Sequence, residues 1–179
     1  MFTPNYAIID VVLTPVTPSK EWPHGVKFAL ESNLLCDGRL VFHNNGKPGF
    51  KLNFRIVDEG ATGYLFPHDE TKAMWVKRVE NLEEMCPGSA MHWPKFRAKD
   101  VSDDHKNLRV FNKNDGEDLF KFTLLFTKTP GQNGPCIEYD PIGDNRNGYS
   151  LAPVAALATG AGVVSLALAV TAFFRQRKR

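Results

Sequence analysis

Cysteine is scarce and scattered: Cys36, Cys86 and Cys136 are the only three, and none lies near another in sequence. That spacing excludes a Cys-x-x-Cys redox or zinc motif. An odd count in a chain of 179 residues fits reduced, mostly buried thiols in a cytoplasmic compartment. An exported chain would instead show one disulfide with a thiol left over. Phosphate-cradling glycine loops are missing as well, since neither G-x-G-x-x-G nor G-x-x-x-x-G-K-S/T occurs. The five histidines, His24, His43, His68, His92 and His105, form no i, i+4 pair and no His-Glu-x-x-His. Ser89 lies in Pro87-Gly88-Ser89-Ala90, which lacks the second glycine of a hydrolase nucleophile elbow. No Asn-x-Ser/Thr glycosylation acceptor is present. These absences predict a protein that is not an enzyme and that carries no cofactor and no metal.

Charge of one sign is also in short supply. The chain has 22 Lys+Arg against 20 Asp+Glu, a formal +2 with a mean hydropathy of −0.29. Four of the cations, Arg175, Arg177, Lys178 and Arg179, stand at the extreme end, so residues 1–174 hold 22 − 4 = 18 cations against 20 anions, or −2. A body so near neutrality excludes a general nucleic-acid binder, and a polybasic membrane-surface domain, as first expectations. The average conceals two unlike parts.

Leu151 to Phe174 is a run of 24 residues without Asp, Glu, Lys, Arg, His, Asn or Gln. As a helix it would rise roughly 36 Å at ~1.5 Å per residue, enough to cross a hydrocarbon core of ~30 Å with some tilt. Ser150 is suited to the N-cap and Pro153 to the first turn. Tyr149 flanks one end and Phe173 and Phe174 the other, where aromatic rings favour the interface. The residues predict a single transmembrane helix over 151–174, stopped by the basic cluster Arg175, Arg177, Lys178 and Arg179. Thr159, Ser165 and Thr171 are its only polar residues, so no proton relay or charged pore lining is indicated. Small residues recur four apart, Ala158 and Gly162 on one line and Ala161, Ser165 and Ala169 on the next. Such a stripe permits close packing against other membrane helices.

Two rules disagree on topology. Only Arg146 is basic in the twenty residues before the span, which places the C-terminal tail inside and the body outside. The stretch Met1–Lys20, however, has no basic n-region, and Asp10 interrupts its apolar run. The reading adopted is a tail-anchored chain with its body in the cytoplasm. A span followed by a terminal basic cluster also resembles the cell-surface sorting tails of exported bacterial proteins. The short motif those tails carry before the helix is not found in Tyr149-Ser150-Leu151-Ala152-Pro153.

Residues 1–139 read as strands separated by turns. Phe50-Lys51-Leu52-Asn53-Phe54-Arg55-Ile56 alternates apolar and polar side chains, and 120–127 repeats the pattern with Phe120, Phe122, Leu124 and Phe126 on one side. Further candidates are Tyr6–Leu13, Val26–Leu30, Leu40–His43, Met74–Val79, Leu108–Phe111 and Cys136–Tyr139. Asp115-Gly116 between two apolar runs predicts a hairpin, and Val79–Met85 a short helical turn. The fold class predicted is all-β, an immunoglobulin-like or related sandwich with its phenylalanines in the core. Trp22 and Trp93, each followed by proline, are expected to close the ends of the sandwich. Residues 140–150 are expected to be a polar linker to the helix.

The acidic runs Asp100-Val101-Ser102-Asp103-Asp104 and Asp140-Pro141-Ile142-Gly143-Asp144-Asn145 are the nearest approach to a Ca²⁺ site. Neither has helix–loop–helix spacing, and both are ordinary turn formers. The function expected is that of a single-pass, membrane-anchored structural or interaction subunit of a larger complex or of a membrane-containing assembly such as a virion. Its expected partners are the lipid bilayer and other membrane helices or a protein complex, and not nucleic acid. The alternatives are an exported surface protein retained by its hydrophobic segment, or a membrane-tethered enzyme or Ca²⁺-binding module.

Overall fold

The computed structural model describes residues 5–43, 49–81, 83–86, 92–129 and 137–146. Eleven strands are seen among them: β1 (Asn5–Pro15), β2 (Val26–Glu31), β3 (Leu35–Cys36), β4 (Arg39–His43), β5 (Phe50–Asp58), β6 (Met74–Val79), β7 (Phe96–Val101), β8 (Asn107–Asn112), β9 (Asp118–Phe126), β10 (Ile137–Tyr139) and β11 (Ile142–Arg146). The only helical turn among the described residues is a 3₁₀ turn, Glu70–Lys72, started by the Asp69 carboxylate accepting from the Thr71 N–H. The helical turn predicted over Val79–Met85 is not formed by its described residues, because β6 runs on to Val79.

A five-stranded sheet has the order β2-β1-β5-β8-β7, and in a second β9 has β6 along one edge and β10 and β11 in succession along the other, with β4 and β3 following beyond β11. Both are mixed: β1 is parallel to β5 and β11 is parallel to β4, while the other pairs are antiparallel. The described residues are therefore all-β, consistent with a β-sandwich, and their two parallel pairs set them apart from sandwiches built of purely antiparallel sheets.

Alternation decides which side of β2, β5 and β8 is buried, whereas β9 is buried on both sides. On β5, Phe50, Leu52, Phe54 and Ile56 are buried and Lys51 and Arg55 are exposed. The inward side chains of the two sheets meet ring against ring. Phe54 lies 5.7 Å from Phe122, Phe42 lies 5.2 Å from Phe50, and Phe96 lies 4.7 Å from Phe120. Of the ten phenylalanines among the described residues only Phe111 is not buried. Edge-to-face and offset ring pairs add to the area they remove from water. Trp22 and Trp93 are partly buried against this core, Trp93 at 5.5 Å from Phe120.

Three strands differ from the sequence expectation. β3 is two residues long. In β7 a bulge at Lys99 breaks the alternation, so the pattern in Phe96–Val101 is masked. β11 occupies residues placed in the linker predicted over 140–150. Ile137 faces Phe126 and Ile142 faces Lys121, five residues along each strand, so β10 and β11 follow one unbroken register on β9. Pro141 interrupts the ladder because it has no N–H to donate, while its carbonyl still accepts from Phe122 N at 3.3 Å.

The hairpin predicted at Asp115-Gly116 is also corrected. β8 pairs with β5 and β7, and β9 pairs with β6, β10 and β11, so the segment between them crosses from one sheet to the other. Asn114, at φ 45°, makes the corner, and its N–H donates to the Asn112 carboxamide oxygen at 3.0 Å. An Asx-type turn with a left-handed asparagine serves a sheet crossing as well as a hairpin.

Among the described residues no helix is long and apolar enough to cross a membrane. The segment 151–174, the helix-packing residues Ala158, Ala161, Gly162, Ser165 and Ala169, and the basic residues Arg175, Arg177, Lys178 and Arg179 all lie outside the described residues.

Candidate interaction surface

The outer side of the first sheet is built by the residues that alternate with the core. Register sets them in rows across the strands. Tyr6 stands beside Lys51, Lys51 beside Phe111, and Phe111 beside Arg97. In the next row Ile8 adjoins Asn53, Asn53 adjoins Arg109, and Arg109 adjoins Asp100. Two large apolar side chains are left in water here, Tyr6 at 66% and Ile8 at 41% exposure. A single exposed apolar residue means little, but two neighbours among cations form a patch that a partner can cover.

The acids on this surface are already engaged. Arg55 donates to both Asp10 oxygens, at 2.7 and 2.9 Å, and the Asp10 hydrogen bond raises the guanidinium above its ordinary range. Arg109 is paired with Asp100. Among the described residues Lys51, Arg97 and Lys99 have no carboxylate partner. Lys99 rests its ammonium 5.9 Å from the centre of the Phe111 ring. That ring in turn lies over Gly49, whose φ of 86° and close approach to Phe111 leave no room for a side chain. A shallow groove of about 240 Å³ opens among Tyr6, Lys51, Lys99, Asp100, Arg109 and Phe111. Its chemistry is cationic and aromatic, suited to an anionic group with some apolar contact.

A second cleft, about 460 Å³, lies between the loop holding Trp22 and the edges of β2 and β10. Phe28 and Ile137 form its apolar floor and Lys20, Glu21, His24 and Glu138 stand on its rim. Phe28 is fixed there by stacking on Phe126 and Tyr139 at 5.1 and 5.5 Å.

The residues weighed for chemistry are placed as structure. Asp104 accepts from the Ser102 hydroxyl and the Lys106 N–H, which lowers its carboxyl and shapes the β7–β8 turn. Asp140 accepts from the Thr123 hydroxyl at 2.6 Å. His68 and His105 bring their rings to 5.6 Å, yet no group of three metal-ligating side chains forms among the described residues. Cys36 is exposed, which corrects the expectation of mostly buried thiols: it sits in the two-residue edge strand β3, too short to be covered. Burial, with Asp140 nearby, pushes the Cys86 thiol up. Sequence inspection did not single out Tyr6, Lys51, Phe111 and Arg97, because only register brings four separate strands into one row. No protein-family model matches the chain, and comparison with curated proteins finds no match.

Proposed function

We propose that the chain is a membrane-held binding subunit. Its all-β body, read as a sandwich of the immunoglobulin-like or a related kind, presents a surface to a partner. A helix over 151–174 anchors it, with Ala158, Ala161, Gly162, Ser165 and Ala169 packing against other membrane helices. The observation that carries the binding role is the row Tyr6–Lys51–Phe111–Arg97, an exposed aromatic-and-cationic patch on an otherwise ordinary sheet. The anchoring role rests on the uncharged 24-residue run and the basic cluster after it. Alkaline extraction of membranes followed by detergent sizing tests both. The chain is expected to stay in the pellet and then to run larger than a monomer. Release by alkali would remove the anchor, and a free monomer with no co-purifying protein would remove the subunit role.

The body is assigned to the cytoplasm. The lone Arg146 before the span favours the second reading, an exported surface protein. Protease added to intact cells separates them, since only an outside body would be digested.

A further inference from the structure

The first sheet is electrically polarised along its strands. At one end stand Lys51 at the start of β5, Arg97 at the start of β7 and Lys113 just after β8, with Lys99 further along β7 at its bulge. The turns at the other end carry Asp58 and Glu59 after β5, and Asp103 and Asp104 between β7 and β8, against the cations Lys106 in that turn and Lys27 on β2. Four carboxylates do occur near the cations: Asp100, which is paired with Arg109, and three in the crossing to β9. Asp115 is held by Lys95 and Lys113 at 3.1 and 2.6 Å, and Asp118 by Lys95 and Arg78, both at 3.1 Å. Glu117 is the third and is exposed. The near-neutral total of the body thus conceals a cationic end with two exposed apolar side chains, Tyr6 and Ile8.

The chain leaves the body at that same end. Phe42 near the end of β4 packs on Phe50 at the start of β5, and Arg146 at the end of β11 lies opposite His43 at the end of β4. From Arg146 to Leu151 the backbone reaches at most roughly 17 Å. The geometry points to an anionic bilayer surface as the ligand of the Tyr6–Lys51–Phe111–Lys99 patch, with Arg97 beside it. The inference rests on the anchored reading. Tyrosine and basic side chains are the residues that settle at headgroup depth, and each cation near an anionic leaflet adds to the attraction. An acidic peptide would be satisfied by the groove alone. A planar anionic surface also accounts for the lengthwise polarity, which turns Asp58, Glu59, Asp103 and Asp104 away from it.

The test uses the full chain reconstituted into vesicles of phosphatidylcholine, with or without a share of phosphatidylserine. Lysines are acylated under limiting reagent and located by mass spectrometry. Lys51 and Lys99 are expected to react about fivefold more slowly in the anionic vesicles, and Lys106 at the opposite end equally in both. High salt should remove the difference, and the variant Arg97→Glu, which keeps both reporter lysines and whose fold is checked by circular dichroism, should lessen it. Equal labelling of Lys51 and Lys99 in the two vesicle types overturns the inference. So does stronger protection by added polyglutamate in neutral vesicles, which would assign the patch to an acidic protein. An alkaline wash of the same vesicles separates this failure from that of the anchor, because loss of the anchor releases the chain from both compositions.

Discussion

Gly143 shows how one missing side chain sets the packing of the second sheet. It faces Phe120 across the β9–β11 ladder, and a Cβ there would overlap the Phe120 ring. The ring has nowhere to retreat, being wholly buried against Phe96, Phe42, Phe122 and Trp93. Gly143→Ala is therefore expected to cost about 2 kcal/mol of overpacking. Urea unfolding measures it, and Phe120→Leu in the same chain should recover part of the loss. Asp58 is a second such position. Burial pushes its carboxyl up, but the backbone N–H groups of Thr62, Gly63 and Gly60 donate to it and hold it low. Those bonds, at 2.8 Å from Thr62 and 3.1 Å from Gly63, shape a loop in which Ala61 and Gly63 both have positive φ. Asp58→Ala should lower stability by about 1–2 kcal/mol. A loss below measurement error would mean that the loop holds its shape without the carboxylate.

At the scale of strands, the final residues of the body matter most. Because β11 fills the space between β9 and β4, a chain ending at Tyr139 is expected to lose cooperative folding, whereas one ending at Gly148 keeps it. Thermal melts of the two truncations decide the matter. Most strands were legible in advance, and the reason is visible in β5 and β9: a large apolar side chain, phenylalanine or aliphatic, at every second position produces a period of two that no helix shares. β11 was not legible. Gly143-Asp144-Asn145 has the composition of a turn, and it is a strand because β9 and β4 supply partners on both sides. The β8–β9 crossing was misread for a related reason, since local turn chemistry does not say which sheet the next strand joins. The candidate surface was legible only as separate cations and aromatics. Its rows needed the registers of β1, β5, β8 and β7.

For the whole molecule, acid is the condition to which the body should respond. Asp58, Asp69, Asp104, Asp115 and Glu84 are all held below the ordinary carboxylate range. Thr71 acts on Asp69, Ser102 on Asp104, Lys113 on Asp115 and the Glu80 N–H on Glu84. A carboxyl lowered on folding stabilises above its unfolded pKa, and that contribution disappears as pH falls through the folded value. Stability should thus be flat near neutrality and decline below about pH 4. Lys95 works in the opposite sense, raised by Asp118 and Asp115, so its contribution is lost only at strongly alkaline pH. Denaturation midpoints measured from pH 7 down to pH 2 check the sign. A midpoint that rose on acidification would contradict it.

The position of β11 also has a consequence for biosynthesis. A ribosome makes β4 well before residues 142–146 and β9 shortly before them, yet these two strands become neighbours only through β11. Until then each offers an open row of backbone donors and acceptors, the state in which nascent chains pair wrongly. The second sheet is completed by nearly the last part of the body to be translated. A newborn chain must therefore be shielded along β4 until its final strand emerges, and stalling translation shortly before residue 142 should leave it bound to chaperones.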